Sequence, residues 1–189
     1  MKRTVLAGAL LIALVAVLAI PAGASTFLAM SKVDLVSHSD AIVVGKVLET
    51  FSYWNDRHTM IFSEAVIQVE RVVTGDAPAL INVRTAGGVV GSYKVEASGF
   101  PTFREGQRQL MFVHRGESGA LEVTGYQQGQ YHVQSAADGT ELAVPALRNA
   151  RLLTRSGELA PRPRTVPLES LIGNLRQIDE RVHRGPVTK

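Results

Sequence analysis

Ala41-Ile42-Val43-Val44-Gly45-Lys46-Val47-Leu48 is a β-branched apolar run with turn residues, Ser39-Asp40, before it. Such a run reads as a buried strand rather than a helix. It continues through Glu49-Thr50-Phe51-Ser52-Tyr53-Trp54 and stops at the polar stretch Asn55-Asp56-Arg57-His58. A second long strand runs from Met60 to Val73. Within it Ala65, Ile67 and Val69 alternate with Glu64, Gln68 and Glu70, giving one dry and one wet face. The two strands around a four-residue loop form one extended hairpin.

Shorter strands follow. Leu80 to Thr85 directs Ile81 and Val83 inward. A glycine-rich loop, Gly87-Gly88-Val89-Val90-Gly91, leads into Tyr93-Lys94-Val95-Glu96. Arg108 to His114 is apolar on both faces at its centre, which marks a central strand. Leu121-Glu122-Val123-Thr124 and Gln130-Tyr131-His132-Val133-Gln134 alternate, and Asp138-Gly139 turns the latter back through Leu142 and Val144. Seven or eight strands spaced by turns, with no βαβ alternation, predict an OB-like, mainly antiparallel β-barrel over residues 25–147. A β-sandwich is the alternative. A short N-terminal helix is expected after Ser31, where Ser31-Lys32-Val33-Asp34 reads as a capping box and Met30, Val33 and Val36 share a face.

Outward from this body the composition changes at both ends. Lys2 and Arg3 precede an apolar run from Val5 to Ile20, then Pro21 and Ala22-Gly23-Ala24. This is the pattern of a cleavable signal peptide over residues 1–24, with cleavage before Ser25 and export to the periplasm or the medium. Residues 148–166 form a basic, proline-containing connector. Residues 167–184 then carry Leu168, Leu171, Ile172, Leu175, Ile178 and Val182 at helical spacing, a C-terminal amphipathic helix that starts at Pro167 and packs on the barrel.

Composition narrows the chemistry. The chain has no cysteine, so disulfides, thiolate catalysis and cysteine-bound zinc are excluded. The formal charge of +3 for 189 residues hides a division: residues 25–147 hold 9 basic and 13 acidic side chains, and residues 148–189 hold 9 and 4. A mildly acidic body with a basic tail does not point to nucleic acid. The histidines, at 38, 58, 114, 132 and 183, are too widely spaced for a local metal motif. No metal or cofactor site is expected. His38-Ser39-Asp40 holds triad residue types, but sequence neighbours do not form a triad's hydrogen-bonded chain. The glycine-rich loop lacks the Lys-Ser/Thr ending of a phosphate loop.

Three stretches carry a resemblance: Leu35 to Val47, Glu70-Arg71-Val72-Val73-Thr74-Gly75-Asp76, and Gly99-Phe100-Pro101-Thr102-Phe103-Arg104-Glu105-Gly106 before Leu110-Met111-Phe112. They resemble an uncharacterised group of exported bacterial proteins. Their order is also similar to netrin-like, or TIMP-like, OB-fold domains, with Thr74-Gly75 at the turn after the second strand. The resemblance implies the barrel. Those domains carry disulfides and an N-terminal cysteine that reaches a protease metal, and this chain has neither.

The aromatic residues supply the remaining signal. Phe51 and Tyr53 alternate with Trp54, and Phe100 and Phe103 flank Pro101. The expected binding rim is Tyr53, Trp54, Asn55, Arg57 and His58, with Gly87, Gly88 and Gly91 beside it and Gln127-Gln128 near. Loops held by a rigid barrel suit recognition. These features point to an exported, non-catalytic binding module whose partner is another secreted or envelope protein. The alternative is an envelope hydrolase whose His and carboxylate residues converge from distant positions.

Overall fold

The structure, a computed structural model, describes residues 25–147 and 150–183. The signal segment expected over residues 1–24 lies outside the described residues. The elements in chain order are β1 (Ser25–Leu28), α1 (Lys32–Ser37), β2 (Ala41–Trp54), β3 (Ile61–Gly75), β4 (Leu80–Ala86), β5 (Gly88–Val90), β6 (Tyr93–Val95), β7 (Arg108–Arg115), β8 (Leu121–Val123), a 3-10 turn (Tyr126–Gly129), β9 (Gln130–Ser135), β10 (Glu141–Pro145), β11 (Ala150–Leu153), β12 (Val166–Pro167) and α2 (Leu168–His183).

β2, β3, β4, β8 and β7 close a five-stranded barrel. All its pairings are antiparallel except β4 with β8, and β7 returns to β2 to complete the ring. This is the OB-like barrel, and closure removes the free sheet edges. β7 splits its second edge. Residues 113–115 pair with β8, and residues 109–111 pair with β9. β9, β10 and β12 therefore extend the sheet away from the ring.

Two apolar clusters explain the long β-branched runs. Ala41, Val43, Val47, Ala65, Ile67, Val83, Met111 and Val113 fill the barrel. Ile42, Val44, Leu110 and Phe112 point the other way and meet Leu168, Leu171, Ile172, Leu175 and Ile178 of α2. β2 and β7 are thus buried on both faces, so alternation disappears there. Burying each α2 side chain is worth roughly 1.5–3 kcal/mol, enough to hold a helix that contains Gly173. Val182 departs from the expected stripe and is exposed.

The capping box at Ser31 is present, with Asp34 accepting from the Ser31 amide and Ser31 Oγ accepting from the Asp34 amide. Leu35 and Val36, with half-buried Met30, form its inner face, whereas Val33 points outward. Pro167 ends β12 opposite Leu142 rather than opening the helix. The basic connector is partly ordered as strand: β11 lies parallel to β1, with Ser25 beside Ala150 and Leu28 beside Leu153.

Candidate functional site

The β2–β3 hairpin is longer than the barrel and overhangs one end of it. A register shift between Val47 and Glu49 decides what the overhang presents. Val47 faces the barrel interior opposite Ile67, and after the bulge Thr50 does so opposite Ala65. A single extra residue reverses the phase of everything beyond it. Ser52 and Trp54 therefore continue the interior face, and Phe51 and Tyr53 turn to the outside.

Above this face lies the β5–β6 hairpin, fixed by small polar groups. Ser52 Oγ and Ser63 Oγ are 2.9 Å apart. Ser63 Oγ donates to the Gly87 carbonyl at 2.7 Å, and the Val89 amide donates to Ser52 Oγ at 3.3 Å. Gly88 makes this approach possible: a Cβ there would sit 2.3 Å from Ser63 Oγ and 2.4 Å from Ser52 Oγ. Its φ of +140° also disfavours any other residue.

The third wall is the 96–104 loop, and two fully buried glutamines anchor it. Gln130 Nε2 donates to the Thr102 carbonyl at 2.8 Å and to Gln109 Oε1 at 2.6 Å. The Thr102 amide donates to Gln130 Oε1 at 3.3 Å. Thr85 Oγ1 donates to the Pro101 carbonyl at 3.1 Å. Phe103 packs from this loop onto the barrel cluster. Between the three walls is a cavity of about 770 Å³, bounded in part by Thr50, Ser52, Gly88, Val95, Thr102 and Phe103. Its volume falls in the range of small-ligand and side-chain pockets.

The expected rim residues divide into five groups. Trp54 stacks on His58, with ring centroids 6.2 Å apart, and meets the Tyr93 ring edge-on at 5.4 Å. Gly87 and Gly88 line the cavity, and Gly91 turns the β5–β6 hairpin with φ +59°. Asn55 is committed to the loop itself: Asn55 Oδ1 accepts from the amides of Thr59 and Met60 at 2.8 and 3.1 Å. Arg57 is exposed at the tip.

Tyr53 is on the far face of the hairpin, with Phe51 and Phe62. Its hydroxyl donates to Glu64 at 2.7 Å. Burial, and then the Glu64 carboxylate, raise the tyrosine pKa, so the group stays a protonated donor. Arg84 lies 4.8 Å from the Phe62 ring centroid and pairs with Glu122 at 2.6 Å. The structure thus places Tyr53 apart from Trp54.

Gln127 is part of the cavity lining and Gln128 is not. Gln127 Nε2 donates to the Phe100 carbonyl at 2.9 Å, and Gln128 bridges the Leu28 carbonyl and the Met30 amide at 3.1 and 2.9 Å. Phe100 packs on Tyr126 at 4.6 Å, away from the barrel interior. Tyr93, 63% exposed, was not singled out by sequence reasoning, and neither was Met60, 42% exposed. The exposed aromatic opposite a glycine turn was the available signal.

No family model matches the chain, and no curated protein matches it. The chemical capacity must be read from the residues. His38 contacts the Asp34 carbonyl, His114 contacts Thr124 Oγ1 at 3.2 Å, and His183 pairs with Asp179 at 2.9 Å. His132 is buried in β9, away from the stack at His58. Among the described residues no three His, Asp or Glu side chains gather to hold a metal ion. Of the carboxylates at the cavity, Glu64 accepts from Tyr53 and Glu96 pairs with Lys94. The arrangement can bind through apolar contact, stacking and backbone hydrogen bonds.

Proposed function

We propose that the protein is an exported, non-catalytic binding module, and that the overhanging hairpin end engages another secreted or envelope protein. The observation that carries the reading is the collection of exposed apolar groups at this end. Val89, Tyr93 and Met60 are 56%, 63% and 42% exposed around the half-buried Trp54, beside an open cavity. Aromatic residues flanking a preformed pocket are the usual energetic centres of protein interfaces. A projecting side chain or loop of the partner fills the cavity, and Arg57 and His58, exposed at the hairpin tip outside the cavity lining, contact the partner beyond it. The walls are held by the glutamine and serine contacts, so binding orders little that is not already ordered.

The test is affinity purification from envelope and medium fractions with the wild-type chain and with Trp54→Ala/Arg57→Ala and Tyr93→Ala variants, each checked for unchanged thermal unfolding. The expected result is a partner held by the wild type and depleted at least roughly tenfold by the variants. A partner recovered undiminished by both variants contradicts the assignment.

A further inference from the structure

The β1–β11 sheet departs from the usual polar-out pattern on its outer face. Its inner face holds Phe27 and buried Ala150 and Leu152. Its outer face is expected to be polar, yet it carries a row of leucines. Leu28 pairs with Leu153 in β11, and Leu153 pairs across the next turn with Leu159. Directly paired residues point the same way. The row crosses three chain segments and spans about 10 Å. Leu28 is 54% exposed and Leu159 73%, the highest exposure of any large apolar residue described.

Cations surround the row. Arg151 precedes Leu153 by two residues on the same face, opposite Thr26, and Arg155 sits exposed on the turn between Leu153 and Leu159. Arg162 and Arg164 follow, and Glu158 is the only acid between 150 and 164. Asp34 lies within reach of Arg155, but its carboxylate is already held by Ser31. No helix among the described residues is long and apolar enough to cross a membrane.

We propose that this face docks peripherally on an anionic lipid surface, with Leu28, Leu153 and Leu159 entering the headgroup boundary and Arg151 and Arg155 meeting lipid phosphates. The leucines decide between occupants. A soluble polyanion would use the arginines and gain nothing from an exposed leucine row, whereas an interfacial site needs both.

The experiment is cosedimentation of the chain purified after export, its N-terminus read by mass spectrometry, with phosphatidylcholine vesicles and with vesicles that also contain phosphatidylglycerol. Three variants accompany the wild type: Leu159→Ser, Leu28→Ser/Leu159→Ser and Arg151→Gln/Arg155→Gln. Leu159 is exposed enough that its variant keeps the fold. Binding of the wild type should favour the anionic vesicles. It should fall roughly tenfold for each leucine removed and roughly fivefold for each arginine. The rim variant Trp54→Ala/Arg57→Ala should bind vesicles as the wild type does. Loss in the arginine variant with undiminished binding in both leucine variants identifies a general polyanion site and overturns the proposal. Equal binding by all variants, or to both vesicle types, also overturns it.

Discussion

Residues 41–47 of β2 are walled in on both faces, by the barrel filling on one and by α2 on the other. Residues 50–54 of the same strand have only the β5–β6 hairpin above one face and solvent near the other. The first part holds Ile42, Val43 and Val47 at no measurable exposure, and the second includes Phe51 at 41%. Chain chemistry tracks the difference. Aliphatic, β-branched residues fill the enclosed part. Hydroxyls and aromatic rings, which can hydrogen-bond or stack, occupy the open one. Stability and the proposed recognition are thus divided along a single strand, and the bulge after Val47 is the boundary.

Substitutions on the enclosed side should cost most. Leu175 on the inner face of α2 is fully buried, so Leu175→Asp strands a charge among Ile42, Val44 and Phe112. We expect a loss of roughly 4 kcal/mol or more, read by chemical unfolding, whereas little change would mean that α2 does not dock. Gln130→Leu belongs to the boundary. It leaves the Thr102 amide without its buried acceptor and the Thr102 carbonyl with only the longer contact from Gln109 Nε2, at roughly 1–3 kcal/mol. The 96–104 loop should then exchange its amides faster while β2 does not. Gly88→Ala acts wholly on the open side. The clash with Ser52 and Ser63 should free the β5–β6 hairpin, for roughly 1–2 kcal/mol, and reduce partner binding more than it lowers the melting temperature. Equal losses in both would merge the two regions.

The smallest effect concerns charge. Arg71 donates to both oxygens of Glu169, at 2.5 and 3.0 Å, linking β3 to α2. The Arg71 guanidinium holds the Glu169 carboxyl below its ordinary range. A depressed folded pKa stabilises above the unfolded value, and the gain is lost as pH falls through the folded one. Because Glu169 is exposed, the contribution is at most about 1 kcal/mol. The stability difference between wild type and Glu169→Gln should be small at neutral pH and shrink as pH falls through the depressed Glu169 pKa.

The sequence made some of these regions legible and hid others for physical reasons. Ala65, Ile67, Ile81 and Val83 announced the hairpin and its inner face, because each strand borders solvent on one side. Leu168, Leu171, Ile172, Leu175 and Ile178 announced the docked helix by their spacing. The parallel pairing of β4 with β8, which closes the barrel, joins strands about 40 residues apart and leaves no local period. The buried Gln109 and Gln130 read as surface residues, since nothing in their neighbourhood reveals that the 96–104 loop supplies their partners. Gly87 and Gly88 meet at the cavity, and Trp54 and His58 stack on each other at the hairpin tip. Tyr53 was separated from them and Asn55 drawn into its own turn, and Tyr93 became visible only when the β5–β6 hairpin folded back on Trp54.

Hydrogen exchange by segment, with and without the captured partner, tests the division most directly. The account predicts that amides of residues 42–47 and 110–113 exchange only through global unfolding. Amides of residues 52–60 and 88–95 should exchange through local opening, and the partner should protect these alone. Uniform protection across β2 in the free protein, or partner protection centred on α2, would contradict it.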